Sequence, residues 1–232
     1  RKNGLRPTWH RVAAEDISWM LKLSDKSIKS ANDSFAKGWD LEITDELYMK
    51  SYNLLEQILA GNKSLTKQEI TKDEALARLA RSYFRSHAPA VLQDFIWWSG
   101  LPISDARQAI YLIASELTEE QWQGETWYIH ADSRTRGRVS NCLHLLPSYD
   151  EYLLGYKDRT DVLPKEHYPK AFTNNGLFFP IILHNGQVIG NWDRSARKKG
   201  IELPHSWFIP DVCVDEDMLN EAKQKYVKFL EL

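Results

Sequence analysis

The sequence is most informative first for what it lacks. Of its 232 residues only two are cysteine, Cys142 and Cys213, too few for a disulfide scaffold or a cysteine-based zinc site. A reducing, cytoplasmic compartment is therefore expected. The longest apolar runs, such as Phe178-Phe179-Pro180-Ile181-Ile182-Leu183, are far too short to span a bilayer, and no membrane partner is expected. There is no signal-peptide pattern, although a chain that opens on Arg1 rather than Met leaves targeting open at that end. No glycine-rich phosphate loop is present, and His10, His87, His130, His144, His167, His184 and His205 are scattered without metal-ligand spacing. Neither a metal nor a cofactor is expected.

Charge of one sign is also lacking: the formal net charge is −2. Its distribution is uneven. Residues 131–200 carry eleven Lys/Arg against seven Asp/Glu, a balance of +4, whereas residues 71–130 carry five against eight, a balance of −3. Positive charge concentrated in one stretch is the form a nucleic-acid footprint takes, although a solvated surface would look the same on charge alone. What the chain has in quantity is aromatic surface. Nine Trp, ten Tyr and eight Phe bury a large area and exclude disorder.

Residues 1–70 read as mostly helical. One helix is expected near Ala13–Leu21, and Thr44 caps another that bears Leu47, Leu54, Leu55 and Ile58 and ends at Gly61-Asn62. Ser64 to Ile70 and Thr71 to Glu74 are then two helix starts back to back, with no helix body between them. That conflict predicts that a stretch is missing there and that Ile70 and Thr71 are not joined.

Residues 71–130 form the clearest unit. Thr71 caps a helix carrying Ala75, Leu76, Leu79, Tyr83 and Phe84. A break at His87-Ala88-Pro89-Ala90 precedes a short helix from Val91 to Trp98. Ser99-Gly100-Leu101-Pro102 makes a turn, Ser104-Asp105 caps a third helix, and the segments around Trp122 and Thr126–Ile129 make a two-stranded wing. This is the winged helix-turn-helix order. Beyond it the chain turns to strands: Val139 to Leu146, then Pro180–Asn185 and Gln187–Arg194 flanking the hairpin dipeptide Asn185-Gly186, then Gly200–Leu203. Residues 149–159 read as a short helix or loop, and residues 215–232 as a closing helix with Leu219, Ala222, Tyr226 and Phe229 inward.

Four segments, in order, carry a resemblance. They are Leu5-Arg6-Pro7-Thr8-Trp9-His10; Gln93-Asp94-Phe95-Ile96-Trp97-Trp98-Ser99-Gly100-Leu101; Leu145 to Arg159 (LLPSYDEYLLGYKDR); and Gly186-Gln187-Val188-Ile189-Gly190-Asn191-Trp192. Together they resemble the AlkZ-like winged-helix family of DNA-binding proteins and DNA glycosylases. The resemblance implies an α+β fold: tandem winged-helix units followed by a small antiparallel β-barrel-like domain and a C-terminal helix. Residues 1–70 would be an incomplete N-terminal winged-helix region, 71–130 a winged helix-turn-helix, and 131–232 the β domain. It implies duplex DNA, alkylated or crosslinked, as partner, and hydrolysis of the N-glycosidic bond of alkylated purines as activity. Such a base is already cationic and leaves without a strong general acid, so neutral Gln amides can orient the water and shelter the transition state. The family's Gln-x-Gln or Gln-x-Asp motif lies before the segment that begins here at Leu5, so no catalytic residue is assigned. A further winged helix of the family falls where residues 70 and 71 abut. The alternative reading is a non-catalytic winged-helix DNA binder or regulator. Use of the winged helices purely for protein contact is a third.

Candidate DNA contacts follow from charge and spacing. Arg134, Arg136 and Arg138 alternate, and period-2 spacing in a hairpin points all three to one face, where they can grip phosphates. Arg194 and Arg197, with Lys198 and Lys199, lie at a second hairpin tip. Lys157 and Arg159 lie in a crowded segment with Asp150, Glu151 and Asp158, where internal pairing that fixes the loop competes with DNA contact. Arg107 and Gln108 begin the third helix, but the local −3 argues for a structural rather than a reading role there. Gln121-Trp122-Gln123 matches the literal Gln-x-Gln pattern in the wrong region and carries no catalytic assignment.

Overall fold

The computed structural model describes residues 16–59, 70–133, 141–197, 200–210 and 212–230. Its architecture is mixed α/β with antiparallel sheets and a C-terminal helix. The chain divides into two compact units, Arg1–Ser133 and Arg134–Leu232. No helix among the described residues is long and apolar enough to cross a membrane. The segment Leu5–His10, the Gly61-Asn62 stop and the Ser64–Glu69 half of the doubled helix start lie outside the described residues.

The first unit opens with α1 (Ile17–Gly38) and α2 (Asp45–Leu59). α1 runs seventeen residues past the Leu21 limit expected from the sequence, because the Ser/Lys-rich stretch after Leu21 still presents Ser24 and Ala36 inward. Thr44 caps α2 by accepting from the Leu47 amide at 3.2 Å. The two helices meet through polar groups: Lys29 pairs with Asp45 at 3.1 Å, and the Tyr48 hydroxyl donates to Asp33 at 3.2 Å.

α3 (Lys72–His87) is the axis of the rest of the unit. Thr71 accepts from the Glu74 amide at 3.1 Å, and Ala75, Leu76, Leu79, Ala80, Tyr83, Phe84 and His87 repeat at helical spacing on the buried side. β1 (Ala90–Val91), α4 (Leu92–Ser99) and α5 (Ile103–Leu112) follow. The Asp94 carboxylate accepts from the Val91 amide at 3.2 Å and so starts α4, while Gly100 ends it at φ 66, a conformation that suits a residue without Cβ. Ser104 and Asp105 do not cap α5. The helix begins at Ile103 directly after Pro102, whose ring fixes the entry, and Asp105 instead pairs with Lys72 at 2.9 Å. β2 (Leu117–Trp122) and β3 (Glu125–His130) form a hairpin, and β1 adds to the far side of β3, giving the order β1-β3-β2. Tyr83, Phe84 and Phe95 form the aromatic centre, and the Phe84 ring reaches Tyr128 of β3 at 5.6 Å.

The second unit is built on β4 (Leu143–Leu146), β5 (Ile181–His184), β6 (Gln187–Trp192) and β9 (His205–Trp207), in the order β4-β5-β6-β9. Between β6 and β9 a ribbon of β7 (Ser195–Arg197) and β8 (Gly200–Glu202) projects. α6 (Glu151–Leu154) and α7 (Tyr168–Ala171) lie in the β4–β5 connection, and α8 (Glu216–Leu230) ends the chain. The apolar run through β5 is explained by burial on both faces. Ile181 and Leu183 pack with Val188, Leu153, Leu163 and Phe178, while Ile182 packs with Ile189, Trp192, Leu219 and Ala222 of the opposite layer. Asn185 and Gly186 at φ 49 and 82 make the tight turn between β5 and β6. The barrel-like closure expected above is not formed by the described strands: β4 and β9 are the two edges of an open sheet, one of whose faces α8 covers.

Candidate nucleic-acid interface

The segments Leu145–Arg159 and Gly186–Trp192 are brought together by hydrogen bonds. The Trp192 indole Nε1 donates to the Leu146 carbonyl at 2.8 Å, and the Tyr152 hydroxyl donates to the Gly186 carbonyl at 2.8 Å. Just beyond the first segment, the Val188 amide donates to Val162 at 2.8 Å and the Gln187 side chain to Asp161 at 2.9 Å. Asn191 ties β6 to the start of β5 by donating to the Pro180 carbonyl at 2.9 Å. These residues build a frame, and the polar tips of large side chains are satisfied by main-chain carbonyls within it.

Lys157 and Arg159 separate in this frame. Lys157 is exposed. Arg159 is 7% exposed, and its guanidinium donates to the Leu153 and Lys157 carbonyls and lies 5.2 Å from the Phe172 ring centre and 5.5 Å from that of Phe178. So placed, the guanidinium closes the loop between Leu153 and Lys157. The neighbouring acids also act locally. Asp150 caps α6 by accepting from the Tyr152 amide at 2.9 Å. Asp158 accepts from the Thr160 amide and hydroxyl, at 2.9 and 2.8 Å, and these bonds hold its carboxyl below the usual aspartate range.

Arg194 is exposed at the entry to the β7–β8 ribbon, where its amide donates to the Asp193 carboxylate at 2.7 Å. The ribbon pairs Ser195 with Glu202 and Arg197 with Gly200, and the turn expected from the sequence concerns Lys198 and Lys199. Those two lysines and the side chain of Arg197 lie outside the described residues, as do Arg134, Arg136 and Arg138. In the first unit, Arg107 and Gln108 stand on the exposed side of α5. Gln121 donates to Thr126 across the hairpin at 2.9 Å, and Gln123 forms the turn at φ 52.

One charged group escapes sequence reasoning altogether. Glu116, just before β2, takes a bidentate pair of bonds from Arg81 of α3 at 2.7 and 2.6 Å and lies 3.3 Å from Nε2 of buried His130 on β3. Nδ1 of His130 accepts from the Asp132 amide at 3.0 Å, so Nε2 carries the proton and donates to the carboxylate. Hydrogen bonding from Arg81, then from His130, brings the Glu116 carboxyl down to about 2. The group fastens the β2–β3 hairpin to α3. With 35 residues between Arg81 and Glu116, no local pattern announces it.

The fold is similar to that of a solved protein of known class. The structure of Streptomyces sahachiroi DNA glycosylase AlkZ matches with a TM-score of 0.60 and 20% identity, over 71% of this chain and 45% of that one. The chain belongs to the AlkZ-like DNA glycosylase family, whose model matches residues 45–224. A curated relative, the interstrand DNA cross-link repair glycosylase of Streptomyces sahachiroi, is 27% identical over 166 residues. That match covers 68% of this chain and 45% of the relative, so the chain spans about half the length of the relative it matches.

Proposed function

We propose that this chain belongs to a DNA-repair hydrolase that removes alkylated purines, including crosslinked ones, from duplex DNA. The observation that carries the reading is the family match across residues 45–224, which takes in the hydrogen-bonded frame of the second unit. In the reaction, water attacks C1′ while the C1′–N bond breaks. The bonding electrons leave with the purine and neutralise its positive charge, and the proton of water passes to solvent. The enzyme's task is to place the water and shelter an oxocarbenium-like sugar. No residue of this chain is assigned to that step.

Within this reading, residues 71–130 serve as a winged helix-turn-helix that follows a further winged-helix region, and they support the site rather than read sequence. Duplex phosphates are held from the second unit by Arg134, Arg136 and Arg138, with Lys157 at the frame and Arg194 and Arg197 at the ribbon. The excess of eleven Lys/Arg over seven Asp/Glu in residues 131–200 supports that placement. The test is release of 7-methylguanine from a methylated duplex, followed by chromatography of the freed base. Base release that depends on the protein and on the lesion supports the proposal. Duplex binding without any release would leave a non-catalytic DNA binder.

A further inference from the structure

The β2–β3 hairpin carries a surface that the repair reading does not use. Directly opposed residues of an antiparallel pair share a face. Leu117, Glu119 and Gln121 stand opposite His130, Tyr128 and Thr126 and share the side on which Tyr128 meets Phe84 and His130 is buried. The alternate residues therefore lie outward: Thr118, Glu120 and Trp122, opposite Ile129, Trp127 and Glu125.

On this outer face two indoles make an open corner. Trp122 is 51% exposed, and its ring centre lies 5.6 Å from that of Trp127 at an interplanar angle of 57°. The Trp127 Nε1 donates to the Trp122 carbonyl at 3.3 Å, which fixes the corner's second wall. A glutamate stands across the ladder from each indole, Glu120 from Trp127 and Glu125 from Trp122. Both are exposed, and among the described residues neither has an ion-pair partner. β2 is also the outer strand of its sheet, so one row of its backbone N–H and C=O groups faces away from β3.

Each element selects the same ligand chemistry. Tryptophan faces attract a cation through the ring quadrupole. Carboxylates beside them add Coulomb attraction for a cation and repel phosphate. An open strand edge accepts another extended backbone. Residues 71–130 as a whole carry eight Asp/Glu against five Lys/Arg, so the wider field has the same sign.

We infer that the outer face of the β2–β3 hairpin, centred on Trp122 and Trp127, docks an extended Arg- or Lys-bearing segment of a protein partner. The partner's cationic side chain sits in the indole corner between Glu120 and Glu125. This inference does not depend on the glycosylase reading, because it concerns a different surface and a different class of ligand. The complementary charge excludes duplex DNA from this face.

The test uses the whole chain and a fluorescein-labelled peptide of alternating Val and Arg, eight residues long, read by anisotropy. A Val-Glu peptide of equal length and a 20-base-pair duplex are the comparisons. The Val-Arg peptide binds and the Val-Glu peptide does not. W122A weakens Val-Arg binding about tenfold, E120K weakens it at least as much, and duplex affinity is unchanged by W122A. Circular dichroism checks that each variant is folded. If W122A does not fold, E120K decides alone, since its site is exposed. Equal peptide affinity in wild type and in the folded variants overturns the inference. So does loss of duplex binding in W122A, which would give this face to DNA instead.

Discussion

The Trp192 indole donates its proton to the Leu146 carbonyl, 46 residues earlier in the chain, at 2.8 Å. One bond thereby joins the C-terminal end of β6 to the C-terminal end of β4, although β5 lies between them in the sheet. Trp192 is itself 5% exposed and packs against Tyr226 of α8 with ring centres 4.8 Å apart.

Trp192→Phe keeps most of the apolar volume and deletes the donor, leaving the Leu146 carbonyl without it. The expected loss is about 1–3 kcal/mol of stability in the second unit. Urea denaturation followed by far-ultraviolet circular dichroism measures it. An unchanged midpoint would show that the bond adds nothing to the frame.

Gly190 is required by a close approach rather than by a turn. A Cβ placed there would lie 2.4 Å from the Ser206 carbonyl oxygen and 3.0 Å from the Trp207 ring. Gly190→Ala must push β9 away from β6, and a cost of roughly 1–3 kcal/mol is expected from such overpacking. Amide exchange separates this from a general loss of stability: protection at Phe208, whose amide donates to Ile189 at 2.9 Å, falls before protection at Ile182 does.

The Glu116 pair gives the first unit an acid limit. Its carboxyl is lowered from 4.5 to about 2 by Arg81 and then by His130. The unfolded chain therefore takes up this proton at a higher pH than the folded one. The pair's contribution is present in full above the unfolded value of 4.5 and is lost as pH falls towards 2. Glu116→Gln should lower stability at pH 7 and flatten its decline between 4.5 and 2. A parallel decline in the variant and the wild type would show that other carboxylates set the limit.

Arginines in the second unit should fall into two groups. Replacing Arg134, Arg136 and Arg138 together with Ala is expected to flatten the slope of log K against log salt for duplex binding by roughly 2 to 3, at about 0.9 per phosphate contact. Affinity should fall alike for unrelated sequences, with folding intact. Arg159→Leu should do the reverse. It removes donors from the Leu153 and Lys157 carbonyls and destabilises the fold, and the salt slope stays as it was. A changed slope in folded Arg159→Leu would place Arg159 on the DNA surface with the other three.

What the sequence disclosed was local. Thr71, the helical stripe from Ala75 to Phe84, the Gly100 stop and the Asn185-Gly186 turn are each decided within a few residues, and each is present. The start of α5 was misread because Ser104 and Asp105 are good caps in isolation, whereas Pro102 had already fixed the backbone. The surroundings of Arg159 were not legible, because arginine is usually a surface charge and only the folded loop shows two carbonyls and two rings around it. The outward indole corner was written in the alternation of Thr118, Glu120 and Trp122, but its meaning needed the pairing with Ile129, Trp127 and Glu125.

The double-sided burial of β5 makes α8 part of the second unit's core rather than an appendage. Ile182, Ile189 and Trp192 are covered from α8's side by Leu219 and Ala222, while the other face already has its cover from α6 to Phe178. A chain cut before Glu216 would thus display a stripe of isoleucine and tryptophan on an ordered sheet whose β4 and β9 edges are open. Association between exposed sheet faces, not mere loss of a terminus, is the expected outcome of that truncation.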